Sequence, residues 1–187
     1  MVASAGTLSF LLENNCIPAG ITLIEADGEP IDLFDIRIQS FRTSHDSNES
    51  TGFSVLTGDG RKITIATDLG YISDGVYAQL QGSDILMLES NYDEGMLDAG
   101  SYPYYLKRRI RGKTGHLSNR ECAMVLPEMI RQGTQHVVLS HLSKENNLPA
   151  LAYQCALAQM QQEGMTLDVD FTLSVAPRSE AGEQITI

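Results

Sequence analysis

The sequence predicts one α/β, or mixed α+β, domain. Short β-rich runs alternate with segments of helical periodicity, and neither internal repeats nor low-complexity linkers interrupt them. At 187 residues and 42% hydrophobic content the chain suits a single packed core. A disordered or fibrous protein is excluded.

Residues 21–41 hold short β-rich runs around the turn Asp27-Gly28-Glu29-Pro30, and Ile36 and Ile38 alternate with Arg37 and Gln39 as in a half-buried strand. Phe53 to Thr57 and Lys62 to Thr67 flank Gly58-Asp59-Gly60-Arg61, a hairpin signal that leaves Asp68 just past a strand end. Val76 to Leu80 reads as a short helix, Ile85 to Leu88 as a buried strand and Tyr104 to Ile110 as a helix. At Ser118-Asn119-Arg120-Glu121 the pattern is a capping box. Cys122, Val125, Leu126, Met129 and Ile130 then follow at helical spacing, with Pro127 expected to bend the helix and Gly133 to end it. Val137 to Leu139 is a second buried strand, and Pro149 opens an Ala/Leu/Met-rich helix reaching Gln162. Val169, Phe171, Leu173 and Val175 alternate as a last strand. The domain is expected to span residues 1–175, with a polar tail over 176–187.

Thirteen Lys and Arg against 24 Asp and Glu give a net charge of −11, which disfavours gripping nucleic acid by bulk positive potential. Any phosphate contact is then local. No apolar run approaches the roughly 18 residues of a membrane span, and the opening residues lack a signal-peptide pattern. Cys16, Cys122 and Cys155 are odd in number without CxxC spacing, which fits reduced thiols in a cytoplasm.

Four histidines occur. His45, His116 and His141 fall in loops beside strands, flanked by small polar residues, and Asp68 in Thr67-Asp68-Leu69-Gly70 belongs to the same class. Imidazole and carboxylate together are the ligands of a Zn²⁺ or Mn²⁺ hydrolase, in which the metal lowers the pKa of water and polarises a phosphoryl or carbonyl oxygen. Each has an ordinary alternative: a hydrogen-bonded surface imidazole for the histidines, an Asx turn or helix cap for Asp68. His136 is read in the ordinary way.

The order His45-Asp46, Gly52-Phe53, Ala66-Thr67-Asp68-Leu69-Gly70, Leu88-Glu89-Ser90-Asn91, Tyr102-Pro103, Leu106-Lys107-Arg108-Arg109-Ile110, Gly115-His116-Leu117-Ser118-Asn119 and Ser140-His141-Leu142-Ser143 with Asn146-Asn147 resembles the YycJ/WalJ group of metallo-β-lactamase-fold hydrolases. The likeness runs from about Gly6 to the C-terminus. It implies an αββα sandwich with a two-metal site at one sheet edge, two divalent ions (Zn or Mn), and phosphodiester hydrolysis, here 5′-to-3′ exonuclease action on DNA. By the same resemblance His45 ligates the first metal, Asp68 bridges both and His141 ligates the second. His116 is then the non-ligand histidine that hydrogen-bonds the scissile phosphate or protonates the leaving oxygen.

The principal metal motif of this fold, His-x-His-x-Asp-His, precedes the matched region, and these 187 residues contain no His-x-His. The chain is therefore expected to be the C-terminal portion of a family member, with its sandwich incomplete at the N-terminus and its metal retention weak. Lys107, Arg108, Arg109, Arg111 and Lys113 crowd the approach to His116 and serve either as phosphate contacts or as a solvated helical face. Lys107, Arg108, Arg109, Ser143 and Asn146 are the expected substrate contacts. Glu89 at a strand end either hydrogen-bonds a ligand histidine or makes a plain turn contact. A hydrolase of another ester or thioester, and a non-catalytic half-domain that pairs through an open sheet edge, are the competing functions.

Overall fold

The computed structural model describes residues 1–182 and 184–186. Its centre is a seven-stranded sheet in sequential order: β3 (Ile31–Leu33), β4 (Ile36–Arg42), β5 (Thr51–Thr57), β6 (Lys62–Ala66), β7 (Ile85–Glu89), β8 (His136–Ser140) and β9 (Thr172–Val175). The first four pair antiparallel and the last four, from β6 onward, pair parallel. This division follows the connections: the short hairpin at Gly58 to Arg61 reverses the chain, whereas the parallel pairs need helical crossovers. Those crossovers are α2 (Asp74–Leu80), then α3 (Glu94–Ala99), α4 (Tyr104–Ile110) and α5 (Asn119–Arg131), and finally α6 (Pro149–Gln162). Upstream, β1 (Val2–Ala3) pairs in parallel with β2 (Ile24–Glu25), and α1 (Ala5–Glu13) lies between them.

One face of the sheet carries the core. Ala66, Leu86, Leu88, Val137, Leu139 and Leu173 meet Val76 and Leu80 of α2, Cys122, Leu126 and Met129 of α5, and Ala152, Ala156 and Met160 of α6. The predicted i, i+3, i+4, i+7 stripe of α5 is thus its buried face, and Pro127 lies inside the helix without ending it. The capping box is formed: Ser118 Oγ accepts from Glu121 N while the Glu121 carboxylate accepts from Ser118 N at 2.8 Å. On the opposite face, Ile31, Ile38, Val55, Ile63 and Ile85 stand in register across five strands and are only half-buried. Of the expected sandwich, the described residues form one sheet, the helical layer on one of its faces, and the β1–β2 pair.

Two expectations need correction. The last strand begins at Thr172, because Asp170 N donates to Thr166 O at 2.9 Å and Asp168 takes a left-handed φ of 61°, making a turn that leaves Val169 exposed. Helices α1 and α3 went unforeseen; Ser4 and Asp93 cap them by accepting from Thr7 N and Met96 N, but α1 buries only Leu8, too little to print an apolar stripe. The described residues of the 176–187 tail contain no helix or strand; Glu183 and Ile187 lie outside the described residues. No helix among the described residues is long and apolar enough to cross a membrane.

Candidate metal and phosphodiester site

Three neighbouring parallel strands end side by side, and each delivers a functional group at or just past its C-terminal end: Asp68 after β6, Glu89 on β7 and His141 after β8. This is the edge at which α/β sheets place their sites. Asp68 and His141 both have left-handed backbones, with φ of 54° and 56°. For a non-glycine residue this conformation costs of order 1–3 kcal/mol and persists where neighbouring contacts over-determine it. Here Ser50 Oγ donates to the Asp68 carbonyl at 3.2 Å and Asn91 Nδ2 to the His141 carbonyl at 2.7 Å.

His45 and His116 arrive on neighbouring loops, packed closely because Gly70, just after Asp68, lies against the Lys113 backbone and Gly115 folds back on the end of α4. A Cβ on Gly70 would collide with the Lys113 backbone, and one on Gly115 with the carbonyl of Ile110. That close approach is pinned by Gly70 N donating to Ser44 O at 2.9 Å and Asp46 N to Thr114 O at 3.1 Å. His45, His116 and His141 then form a row, with ring centroids 4.7 Å and 5.3 Å apart. Asp68 Oδ1 lies 3.7 Å from His45 Nε2, 3.7 Å from His116 Nδ1 and 3.6 Å from His141 Nδ1.

Glu89 organises this row from beneath. Its side chain is fully buried, and its Oε1 accepts from Nδ1 of His116 at 2.8 Å and Nδ1 of His141 at 2.6 Å, while Oε2 accepts from Leu69 N at 3.0 Å. Burial pushes the carboxyl up, but the imidazole hydrogen bonds from His116 and His141, the charge interaction with His116 and the Leu69 amide together outweigh it and hold Glu89 below its ordinary range. The same bond raises His141 above the usual imidazole value, against the opposing effect of burial.

An ionised carboxylate only accepts, so both Nδ1 atoms carry hydrogens. The Gly115 carbonyl likewise only accepts, so the 2.9 Å contact puts the hydrogen of His45 on Nδ1. All three rings therefore have Nε2 as the available nitrogen when neutral. Imidazoles held this way by carboxylate or carbonyl are the form in which histidine ligates metals. His45 Nε2 and Asp68 Oδ1, 3.7 Å apart, are near the separation of about 3.4 Å that two ligands keep on one tetrahedral ion. Asp68, Glu89, His116 and His141 form a further close group of ligand atoms. The donor set fits a divalent cation.

The expected substrate contacts separate in space. Lys107 Nζ donates to the carbonyls of Asp98 and Gly100 at 2.8 Å and 2.6 Å, and Arg108 lies over the Tyr104 ring. Asn146 is buried, its backbone nitrogen accepted by Ser143 Oγ at 3.2 Å. Arg109 and Ser143 line a cleft of about 310 Å³ together with Asn91, Tyr102, His116 and His141. His136, on β8, bonds Thr172 Oγ1 at 2.7 Å, away from the histidine row. Sequence reasoning missed the amide cluster of Asn119 and Asn147, buried with Ser90: Asn147 Nδ2 donates to Asn119 Oδ1 at 2.8 Å and to the Ser90 carbonyl at 2.8 Å. This cluster fixes the segment after β7 against the start of α5. The only signal for it was the placement of asparagines beside the histidine segments.

Known proteins resemble this chain in sequence and in fold. Residues 2–142 match the beta-lactamase superfamily domain. The chain is 33% identical over 157 residues to the exodeoxyribonuclease YycJ of Bacillus anthracis, an alignment covering 84% of this chain and 59% of that protein. It is 36% identical over 137 residues to the exodeoxyribonuclease WalJ of Streptococcus pneumoniae serotype 2, covering 73% and 51%. The chain thus spans little more than half the length of these relatives. In fold it resembles the metallo-β-lactamase fold protein YhfI from Bacillus subtilis, with a TM-score of 0.66, 13% identity, and coverage of 94% of this chain and 61% of that one. A strand-end carboxylate and three aligned histidines at the edge of this sheet, with the match over residues 2–142, place the chain in the beta-lactamase superfamily, with the metallo-β-lactamase fold and similarity to YycJ and WalJ.

Proposed function

We propose that the chain forms part of a metal-dependent phosphodiesterase, a 5′-to-3′ exonuclease acting on DNA. The observation that carries this reading is the shared Glu89 oxygen, which fixes His116 and His141 in one tautomer beside Asp68. His45, Asp68 and His141 would hold two divalent ions, Zn or Mn. When bound, such ions lower the pKa of water and neutralise charge on the phosphate.

The chain's own groups do the rest. His116 is the catalytic histidine: with Nδ1–H on Glu89, its Nε2 is the nitrogen that takes a proton from the attacking water and passes one to the leaving oxygen, which keeps it as the product hydroxyl. Asp68, held in its left-handed turn, contributes a carboxylate oxygen central to the histidine row. The relatives named exodeoxyribonucleases support DNA as substrate, and the cleft beside His116 supports an entry for the strand. Free Cys16, Cys122 and Cys155 support a reducing, cytoplasmic setting.

Three ligands divided between two ions make a weak site, so a polypeptide of these 187 residues is expected to hold metal substoichiometrically. Elemental analysis of the purified chain, with a nuclease assay on 5′-phosphorylated DNA, tests both claims. Stoichiometric metal with turnover overturns the weak-site claim; hydrolysis of a thioester or another ester, with DNA untouched, overturns the nuclease reading.

The half-buried apolar face of Ile38, Val55, Ile63 and Ile85 favours a second reading, a non-catalytic module that binds a partner through this face. A monomer on gel filtration that does not associate through this face counts against it.

A further inference from the structure

Arg109 is the one cation of the basic run that lines the histidine cleft among the described residues. Lys107 is tied to the carbonyls of Asp98 and Gly100, Arg108 covers Tyr104, and Arg111 pairs with Asp98 at 2.5 Å. Arg109 instead lines the cleft that holds His116 and His141. Its Nε and Nη2 donate to Asp46 Oδ2 and Oδ1, both at 2.6 Å, across 63 residues of sequence. Asp46 directly follows His45, so this pair also anchors α4 to the loop that carries a candidate ligand.

A guanidinium has five N–H donors arranged as two usable edges. Asp46 takes the Nε/Nη2 edge, and among the described residues Nη1 has no protein acceptor. The second edge is therefore oriented and unused. A side chain held by one carboxylate has already lost much of its rotamer freedom, so a second anion meets a preorganised fork. Ser143 lines the same cleft, and its Oγ, which accepts from Asn146 N at 3.2 Å, keeps its own hydrogen to donate.

We infer that the free Nη1/Nη2 edge of Arg109 receives the non-bridging oxygens of a backbone phosphate of the bound strand, with Asp46 as the positioning residue that aims it. This rests on the phosphodiesterase reading and names the residue by which the site senses strand charge beside His116. It also reconciles the −11 net charge with a polyanionic substrate, since the attraction is supplied at one place.

The test is fluorescence anisotropy of a labelled single-stranded DNA on the metal-free chain, so that no probe is hydrolysed, over a series of salt concentrations that starts low. A second probe of the same sequence carries uncharged methylphosphonate linkages. Arg109→Gln is expected to weaken the phosphodiester strand about 10- to 100-fold and to reduce the salt slope by about 0.7, while both proteins bind the uncharged strand alike. Arg109→Lys is expected to restore the salt slope without restoring affinity, because an ammonium cannot serve Asp46 and phosphate as a fork. Equal affinity of wild type and Arg109→Gln for the phosphodiester strand overturns the inference. Equal loss on both probes also overturns it, since Arg109 then acts only by holding α4 against the His45 loop. A wild-type chain that binds neither strand overturns the nuclease reading and this inference together. The same titration with inorganic phosphate separates a lone anion from a backbone phosphate; saturation by phosphate where the strand does not bind overturns the assignment to a strand.

Discussion

Glu89 Oε1 lies 2.6 Å from His141 Nδ1, and the same oxygen also accepts from His116 at 2.8 Å. One buried atom therefore sets the tautomer of a candidate metal ligand and of the candidate proton donor. Glu89→Ala would leave two imidazole N–H groups and the Leu69 amide without their acceptor. A loss of about 3–5 kcal/mol in urea unfolding is expected, the range for breaking a buried charged network. Glu89→Gln should fold better yet weaken metal affinity by about 10- to 100-fold, measured by titration with Zn²⁺ or Mn²⁺.

His116 and Asp68 should separate in their metal dependence. His116→Asn removes the proton carrier but none of the three proposed ligands, so metal affinity should change little. Turnover, measured in whatever form of the protein proves active, should fall by about 10²- to 10⁴-fold. Asp68→Asn should instead lose metal first. Loss of metal in both variants would make His116 a ligand rather than the acid.

Gly115→Ala tests the loop contact that seats His45. The added methyl collides with the Ile110 carbonyl, so the Gly115 carbonyl must move away from His45 Nδ1. A loss of about 1–3 kcal/mol is expected, read as a lower melting temperature, with weaker metal binding at the temperature where the variant is still folded.

Asp84 gives a pH signature remote from the histidines. Its carboxylate accepts from Lys62 N at 2.8 Å and from Arg61 Nη1 at 3.1 Å, and the bond from the Lys62 amide, with help from Arg61, holds it below its ordinary value despite partial burial. Because the folded value lies below the unfolded one, its stabilisation is complete above the unfolded carboxylate range and disappears as pH falls through the folded value. Asp84→Ala is expected to cost about 1–3 kcal/mol at pH 7. The gap from wild type should narrow under acid conditions, as followed by urea unfolding at several pH values; a gap that stays constant or widens in acid refutes the linkage.

Much of the fold was legible in the sequence because local rules operated alone. The hairpin at Gly58 to Arg61, the capping box at Ser118 and the Pro149 start of α6 each depend on residues within a few positions of one another. The buried strands β7 and β8 announced themselves as short apolar runs, since both of their faces are covered at least in part. The end of the alternating run before β9 was misjudged because the turn around Asp168 is fixed by Asp170 and Thr166, and periodicity does not register a reversal of that kind. Helix α1 was missed because it buries one residue and so carries almost no pattern.

By itself the sequence determined which residue types stand at strand ends: a carboxylate after β6, another on β7, and imidazoles in three loops. Tertiary structure alone decided their roles. Glu89 is 27 residues from His116 and 52 from His141, and only parallel pairing of β6, β7 and β8 brings Asp68, Glu89 and His141 to one edge. Likewise five cations look equivalent in the basic run, yet the packing of α4 spends Lys107 and Arg111 on Asp98 and its neighbours and turns Arg109 alone toward Asp46 and the cleft. The reason is physical: hydrogen-bond partners and burial are set by distance in space, and spacing along the chain constrains that distance only within an element.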